Sequence, residues 1–386
     1  MTGTVSLSQG DHWHVVLSFL PEGWKEKARD LGALVRCRKF INAEPLLRTL
    51  LIHLADGCSL RETAVRAKYG QLASISDVAL LKRLKASGEW LRWMAARTMT
   101  NWVEKQPAAV FGSNFNIRII DGTTVQEPGS TGSTWRMHYS ICLPSLRCDE
   151  VHVTSPKIGE SFKRFTVHQG DLFLGDRGFA HRAGISHVVN GGGSVLVRIN
   201  LTNLPLVEAD GQPFPLLARL QTLTGTKIGD WDVWVPHDKT LILGRLCALK
   251  KNKLAAERAR RKALVENSRK RHIVRLETVE AAAYVFVFTT LDRRFNATTI
   301  LEMYRGRWQI ELVFKRLKSI IGLGHLKKTD VDAAKAWIHG KLLVAFIIEA
   351  LIVAAERFFP WGYPVGQEHT EVTMPMERNF INASPS

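Results

Sequence analysis

The stretch Tyr304–Lys318, YRGRWQIELVFKRLK, decides how this chain reads. A helix turns by about 100° per residue. With Tyr304 at zero, Arg307 falls at about 300°, Glu311 at about 340° and Lys318 at about 320°. The four polar groups therefore share an arc of about 60°. Ile310, Val313, Phe314 and Leu317 cover about 180–280°, an apolar face suited to packing on a sheet. One helix, expected from Thr298 to about Ile321, buries that face and presents a carboxylate flanked by cations and a phenol. Carboxylates ligate metal ions, and Arg and Lys hold phosphates. Taken alone, the same pattern fits an ordinary amphipathic helix with Glu–Lys pairs.

Two more carboxylates stand upstream, each closing a short apolar strand. NIRIID ends at Asp121 before Gly122-Thr123, and GDLFLGD ends at Asp176 before Arg177-Gly178-Phe179. Asp beside Gly at a strand end is ordinarily turn chemistry. The combination carries more. Asp121 and Asp176 from strands and Glu311 from a helix make an oxygen ligand set for two divalent ions ~4 Å apart, one activating the attacking oxygen and the other stabilising the leaving one. Mg²⁺ suits such hard ligands, and Mn²⁺ can substitute.

Outward from these motifs the texture is mixed α/β. Strands are expected at Trp135–Leu143, Cys148–Thr154, Ser194–Ile199 and Tyr284–Thr290, and helices at Ser161–His168, Ala180–Val189 and Asp330–Phe358. Residues Leu201–Glu280 read as an insertion with strand-like Asp230–Val235 and Thr240–Cys247. In Lys250–Arg275, Lys and Arg crowd together against only Glu257 and Glu266. That segment reads as a basic helix, either touching a DNA backbone or forming a solvated face. Before about Phe111 the chain is helical. Leu46, Leu47, Leu50, Leu51 and Leu54 form a stripe with Pro45 in the first turn, Asp56-Gly57 breaks it, and Ser59 with Glu62 and then Ser76 give capping signals. These helices fit a helix-turn-helix reader or a bundle that reads no bases.

Lys and Arg total 53 against 36 Asp and Glu, a formal charge of +17 that favours a polyanionic partner. The five cysteines have neither disulfide nor zinc spacing. The start lacks a secretory signal, and Leu342–Ala355, interrupted by Glu349, is too short to span a bilayer. The expectation is a cytoplasmic protein with no membrane partner.

Asp121-Gly-Thr, Gly175-Asp176-Arg177-Gly178-Phe179 and Tyr304-x2-Arg307-x3-Glu311-x6-Lys318 together resemble the insertion-sequence-four group of bacterial DDE transposases, whose glutamate signature is YREK. The resemblance implies a ribonuclease-H-like catalytic core interrupted by a β-rich insertion, with an N-terminal helical domain. The first Asp would sit on the first strand, the second on the fourth and the Glu on a later helix. The expected division is 1–108 helical and DNA-binding, 109–200 core, 201–281 insertion, 282–345 core and 346–386 C-terminal helix and polar tail. The resemblance further implies cut-and-paste transposition. Element ends bearing terminal inverted repeats would be nicked to a 3′-OH, closed through a hairpin and joined to target DNA by a synaptic homodimer. Tyr304, Arg307 and Lys318 would grip the DNA end, with Trp308 beside them. Trp231 and Trp234 are the insertion's candidates for stacking a flipped base, and equally read as strand core. A nuclease without strand transfer and a non-catalytic DNA-binding regulator are the alternatives.

Overall fold

Side-chain caps set the first helices. After α1 (Trp13–Leu17) and α2 (Trp24–Asp30), Asn42 accepts a hydrogen bond from the Glu44 N–H and opens α3 (Ala43–Leu54). Ser59 does the same for Glu62 at α4 (Leu60–Tyr69), and Ser76 for Ala79 at α5 (Asp77–Ala86). Each satisfies a donor that the helix itself leaves unpaired. α6 (Gly88–Val103) follows. The Leu stripe of α3 faces inward, with Leu46, Leu47, Leu50 and Leu54 fully buried. This computed structural model describes residues 13–103, 115–129, 134–143, 145–199, 204–269, 276–324, 326 and 329–356. The composition boundary near Phe111, the end of the basic segment at 270–275 and the tail after Gly366 lie outside them.

Strand β1 (Asn116–Val125) buries side chains on both faces, as a central strand must. Ile117 and Ile119 join one apolar cluster and Ile120 the other. β2 (Trp135–Cys142) and β3 (Arg147–Thr154) complete an antiparallel meander on one side of β1. On the other side, β4 (Asp171–Gly175) pairs parallel to β1, and the crossover helix α7 (Arg182–Asn190) leads to β5 (Ser194–Arg198), parallel to β4. Then come α8 (Leu216–Gln221), the hairpin β6 (Ile228–His237) and β7 (Thr240–Lys250), α9 (Lys253–Arg269), α10 (Leu276–Ala281) and β8 (Tyr284–Thr289). All eight strands form one sheet in the order β3-β2-β1-β4-β5-β8-β7-β6.

Two expectations change here. Asp121 does not end its strand, because β1 continues to pair with β2 as far as Val125. Ser161–His168 is not a helix but a single 3₁₀ turn at Phe162–Arg164. Phe162 and Phe165 both bury fully, and Phe162 stacks on Phe179 at 5.0 Å, which presses this short turn onto the sheet. The strand-like segments read within 201–280 are present, as β6 and β7. β7 pairs with β8 along Arg245–Lys250, so the hairpin extends the central sheet.

The C-terminal helices cover the Ile119 face. The expected single helix from Thr298 is α11 (Ala297–Arg305), a 3₁₀ turn at Gly306–Trp308, and α12 (Gln309–Ser319). Ile300, Met303, Ile310, Val313, Phe314 and Leu317 pack into the cluster that holds Ile119, Tyr139 and Leu174. The last helix, α13 (Val331–Glu356), falls within the expected Asp330–Phe358. Its segment Val331–Ala354 is apolar enough and long enough to cross a membrane, but its most apolar stretch is 67% buried within the protein. It lies against α3, α5 and α6, and at Gly340 the Leu54 side chain approaches too closely to admit a Cβ. It is therefore a core helix. One continuous apolar cluster runs from Leu20 through the sheet face to Ile347.

Candidate active site

The parallel pairing of β1 with β4 sets the first two acids side by side. Asn116 pairs with Asp171 and Ile119 with Leu174. Extending that register by two residues brings Asp121 opposite Asp176. Alternation then points both toward the Ile119–Leu174 face, the one covered by α11 and α12. Each carboxylate is fixed by a neighbouring backbone amide. Gly122 N–H donates to Asp121 Oδ1 at 2.7 Å, and Gly178 N–H donates to Asp176 Oδ1 at 2.7 Å, capping the 3₁₀ turn Arg177–Phe179.

Glu311 enters from α12. Arg307, in the 3₁₀ turn just before it, donates to Glu311 Oε1 at 2.7 Å and reaches Asp121 Oδ2 at 3.5 Å. Its guanidinium thus ties a strand-borne acid to a helix-borne one. Exposure grades across the group: 15% for the Asp121 side chain, 19% for Arg307 and 60% for Glu311. Burial pushes the Asp121 carboxyl up to about 7; the Gly122 amide and Arg307 oppose this, while Asp176 and Glu160 add to it. The Tyr304 phenol is also raised by burial, in the field of Arg307, Arg198, Asp176 and Arg177. It stays protonated at neutral pH and has a hydrogen to donate.

The structure thus gathers Asp121, Asp176, Glu311, Arg307 and Tyr304. Lys318 stands apart, exposed, about 10 Å farther along the α12 axis, its aliphatic stem beside Gly324. Trp308 is 47% exposed. Trp231 and Trp234 lie on β6, the far edge of the sheet, five strand spacings or about 24 Å from β1. Trp231 packs against Phe214 with ring centroids 6.3 Å apart, which supports its reading as strand core.

The motifs missed Arg198 and Glu160, and gave Arg177 no role. Arg177 and Arg198 bring positive charge beside Tyr304. Glu160, just before the Phe162 turn, sets a further carboxylate against Gly122 and Gly178. An isolated acid in a loop has no period to betray it, and only the two glycines hint that something passes close.

Among the described residues, no three acidic, His or Cys side chains stand at metal-ligand distances of one another. The donor chemistry nevertheless suits a hard divalent cation. The oxygens are all carboxylate, Asp176 and Glu160 add to the rise that burial causes at Asp121, and a bound cation would take the place of that proton. Asp121, Asp176 and Glu311 are the groups that would hold it, with Arg307 shifting off the carboxylates it now neutralises.

Acids from two central strands and a covering helix, with Arg307 beside them, are an arrangement suited to metal-assisted phosphoryl transfer. The family model described as Transposase DDE domain matches residues 158–347. Over 361 residues the chain is 34% identical to InsL, named as a transposase of insertion sequence element IS186A in Escherichia coli strain K12, covering 91% of this chain and 96% of that one. It is likewise 34% identical over 362 residues, with the same coverage, to the Escherichia coli transposase for insertion sequence element IS421. The chain belongs to the insertion-sequence-four family of DDE transposases. A cryo-EM structure of the piggyBac transposase synaptic complex with hairpin DNA aligns with a TM-score of 0.41 and 9% identity, over 69% of this chain and 52% of that one.

Proposed function

We propose that this transposase cuts and rejoins DNA at Asp121, Asp176 and Glu311, using two Mg²⁺ ions for which Mn²⁺ can substitute. The observation that carries the reading is the Arg307 bridge between Asp121 and Glu311, which joins acids 190 positions apart in sequence into one polar site. The strand order 3-2-1-4-5, with acids on the first and fourth strands, supports a ribonuclease-H-like core. In that reading residues 109–200 and 282–345 form the core, 201–281 the insertion and 1–108 a DNA-binding helical domain, with 346–386 the C-terminal helix and tail.

The substrate is double-stranded DNA with terminal inverted repeats, and the reaction runs in the cytoplasm within a synaptic homodimer. Water attacks the phosphorus at the element end, the P–O3′ bond breaks, and a free 3′-OH and a 5′-phosphate remain. That hydroxyl then attacks the opposite strand, exchanging one phosphodiester for another and closing a hairpin. After reopening, the 3′-OH joins target DNA by the same exchange. The divalent ions, when bound, activate the attacking oxygen and neutralise charge on the leaving one. Asp121 and Asp176, locked by the Gly122 and Gly178 amides, set the position of the reacting phosphate. Tyr304 donates its phenolic hydrogen to a phosphate oxygen. Arg307 and Lys318 pair with phosphates on either side of Glu311.

The test uses supercoiled DNA bearing matched terminal repeats in Mg²⁺. Asp121→Asn, Asp176→Asn and Glu311→Gln should each lower end cleavage by about 10³-fold or more while keeping DNA binding, a loss of about 4 kcal/mol of transition-state stabilisation. Near-normal cleavage in any one removes that residue from the site. Hairpins and joined products from the unaltered protein support transposition by this route. Nicks alone would make it a nuclease, and binding without cleavage a regulator.

A further inference from the structure

We infer that Glu160 is a fourth acid of the active site and ligates the same divalent ions as Asp121 and Asp176. The inference rests on the reading above and extends it to a residue outside the three-acid signature.

The argument begins with the space around two glycines. A Cβ built on Gly122 would stand 2.8 Å from Glu160 Oε1 and 3.2 Å from its Cγ. A Cβ on Gly178 would collide with Glu160 Oε2 and stand 3.0 Å from Asp176 Oδ1. The Glu160 carboxylate therefore lies between the residue after Asp121 and the residue two beyond Asp176. One methyl group would touch both Glu160 and Asp176. Neither glycine has a left-handed backbone here, so what these positions require is room for this side chain, and not unusual torsion angles.

Glu160 is anchored on both sides. Upstream, the Ile158 N–H bonds the Ser155 carbonyl at 3.1 Å, and Arg136 donates to the Ile158 carbonyl at 3.2 Å. Downstream, Ser161 accepts from the Lys163 N–H at 3.3 Å, and Phe162 is fully buried against Phe173 and Phe179. Yet among the described residues the carboxylate makes no hydrogen bond or ion pair of its own. A half-buried acid pinned beside two others raises electrostatic energy unless a cation joins them. Salt bridges elsewhere show what this chain does with acids it needs for structure: Arg118 takes Asp149, Glu150 and Asp171 together. No such bond holds Glu160, on which Arg136 acts only through its charge, and its carboxylate stands against the glycines that flank Asp121 and Asp176.

The test is Glu160→Gln, which keeps the volume and removes the charge. Mn²⁺ affinity, read by electron paramagnetic resonance titration of the full-length protein, should fall about 10-fold or more. In EDTA the variant should unfold at the same or a higher temperature, because one like charge has gone. Unchanged Mn²⁺ affinity overturns the inference. A clear drop of the unfolding temperature in EDTA also overturns it, by giving the side chain a structural role. Asp121→Asn measured alongside separates the two readings. If it too leaves Mn²⁺ affinity and cleavage unchanged, the three-acid site itself fails. If it abolishes both while Glu160→Gln changes neither, only the fourth acid fails.

Discussion

Glu349 shows at the residue scale what burial does to an acid outside the active site. It lines a small cavity with Thr98, Met99, Arg147, Cys148, Phe346 and Ala350. Burial pushes its carboxyl up to about 7, against the pull of Arg147 and Arg316. A raised folded pKa means the native state holds a proton that the unfolded chain releases. The group's contribution to stability is thus full below about 4.5 and lost as pH rises to about 7. Glu349→Gln has no charge to bury, so its melting temperature should gain on the unaltered protein across that window. The gain should reach roughly 1–3 kcal/mol, or a few degrees, by neutral pH. Paired thermal melts at pH 4.5 and 7.5 check this, and a difference that does not change with pH would contradict it. Individual residues were legible in the sequence when they closed a pattern. Asp121 and Asp176 each follow an apolar run, Glu311 shares one helix face with other polar groups, and Ser59 and Ser76 cap helices as their spacing predicts. Glu160 and Arg198 became visible only once folding set them beside those acids.

At the scale of elements, strands were read well because two-sided burial leaves a continuous apolar run, as in Leu172-Phe173-Leu174. The break between α11 and α12 was less legible. Gly306 was its one cue, and the 3₁₀ turn changes the angle at which Arg307 projects, so a uniform 100° per residue does not carry across it. The seam between β7 and β8 was not legible at all, since pairing partners leave no local mark. Gly244 is its critical point. A Cβ there would press on the Phe288 ring and come within 2.7 Å of the Thr289 carbonyl oxygen, a backbone atom that cannot step aside. Gly244→Ala should therefore destabilise the protein by about 1–3 kcal/mol. Urea denaturation measures this, and hydrogen exchange should show the loss concentrated in β6 and β7. Uniform exchange across the sheet would mean the hairpin is not held by this seam.

Over the whole molecule, charge and connectivity matter more than any one contact. The excess of +17 is concentrated in part on α9, where Arg258, Arg260, Arg261 and Lys262 are exposed and, among the described residues, unpaired. If these side chains lie along DNA, replacing Arg258, Arg260 and Arg261 by Gln should reduce the slope of log K against log salt by about 2–3. An unchanged slope in a salt titration of DNA binding would assign α9 to a solvated face instead.

The path of α13 has a different consequence, one of timing. Its side chains complete the packing of α3, α5 and α6, elements made some 250 to 300 positions earlier in the chain. On the ribosome the first helices must wait, with an apolar flank uncovered, until nearly the last residue of α13 has emerged. A chain stopped before Val331 would lack the helix that seals them, so premature termination would leave an aggregation-prone fragment in place of a free-standing N-terminal unit.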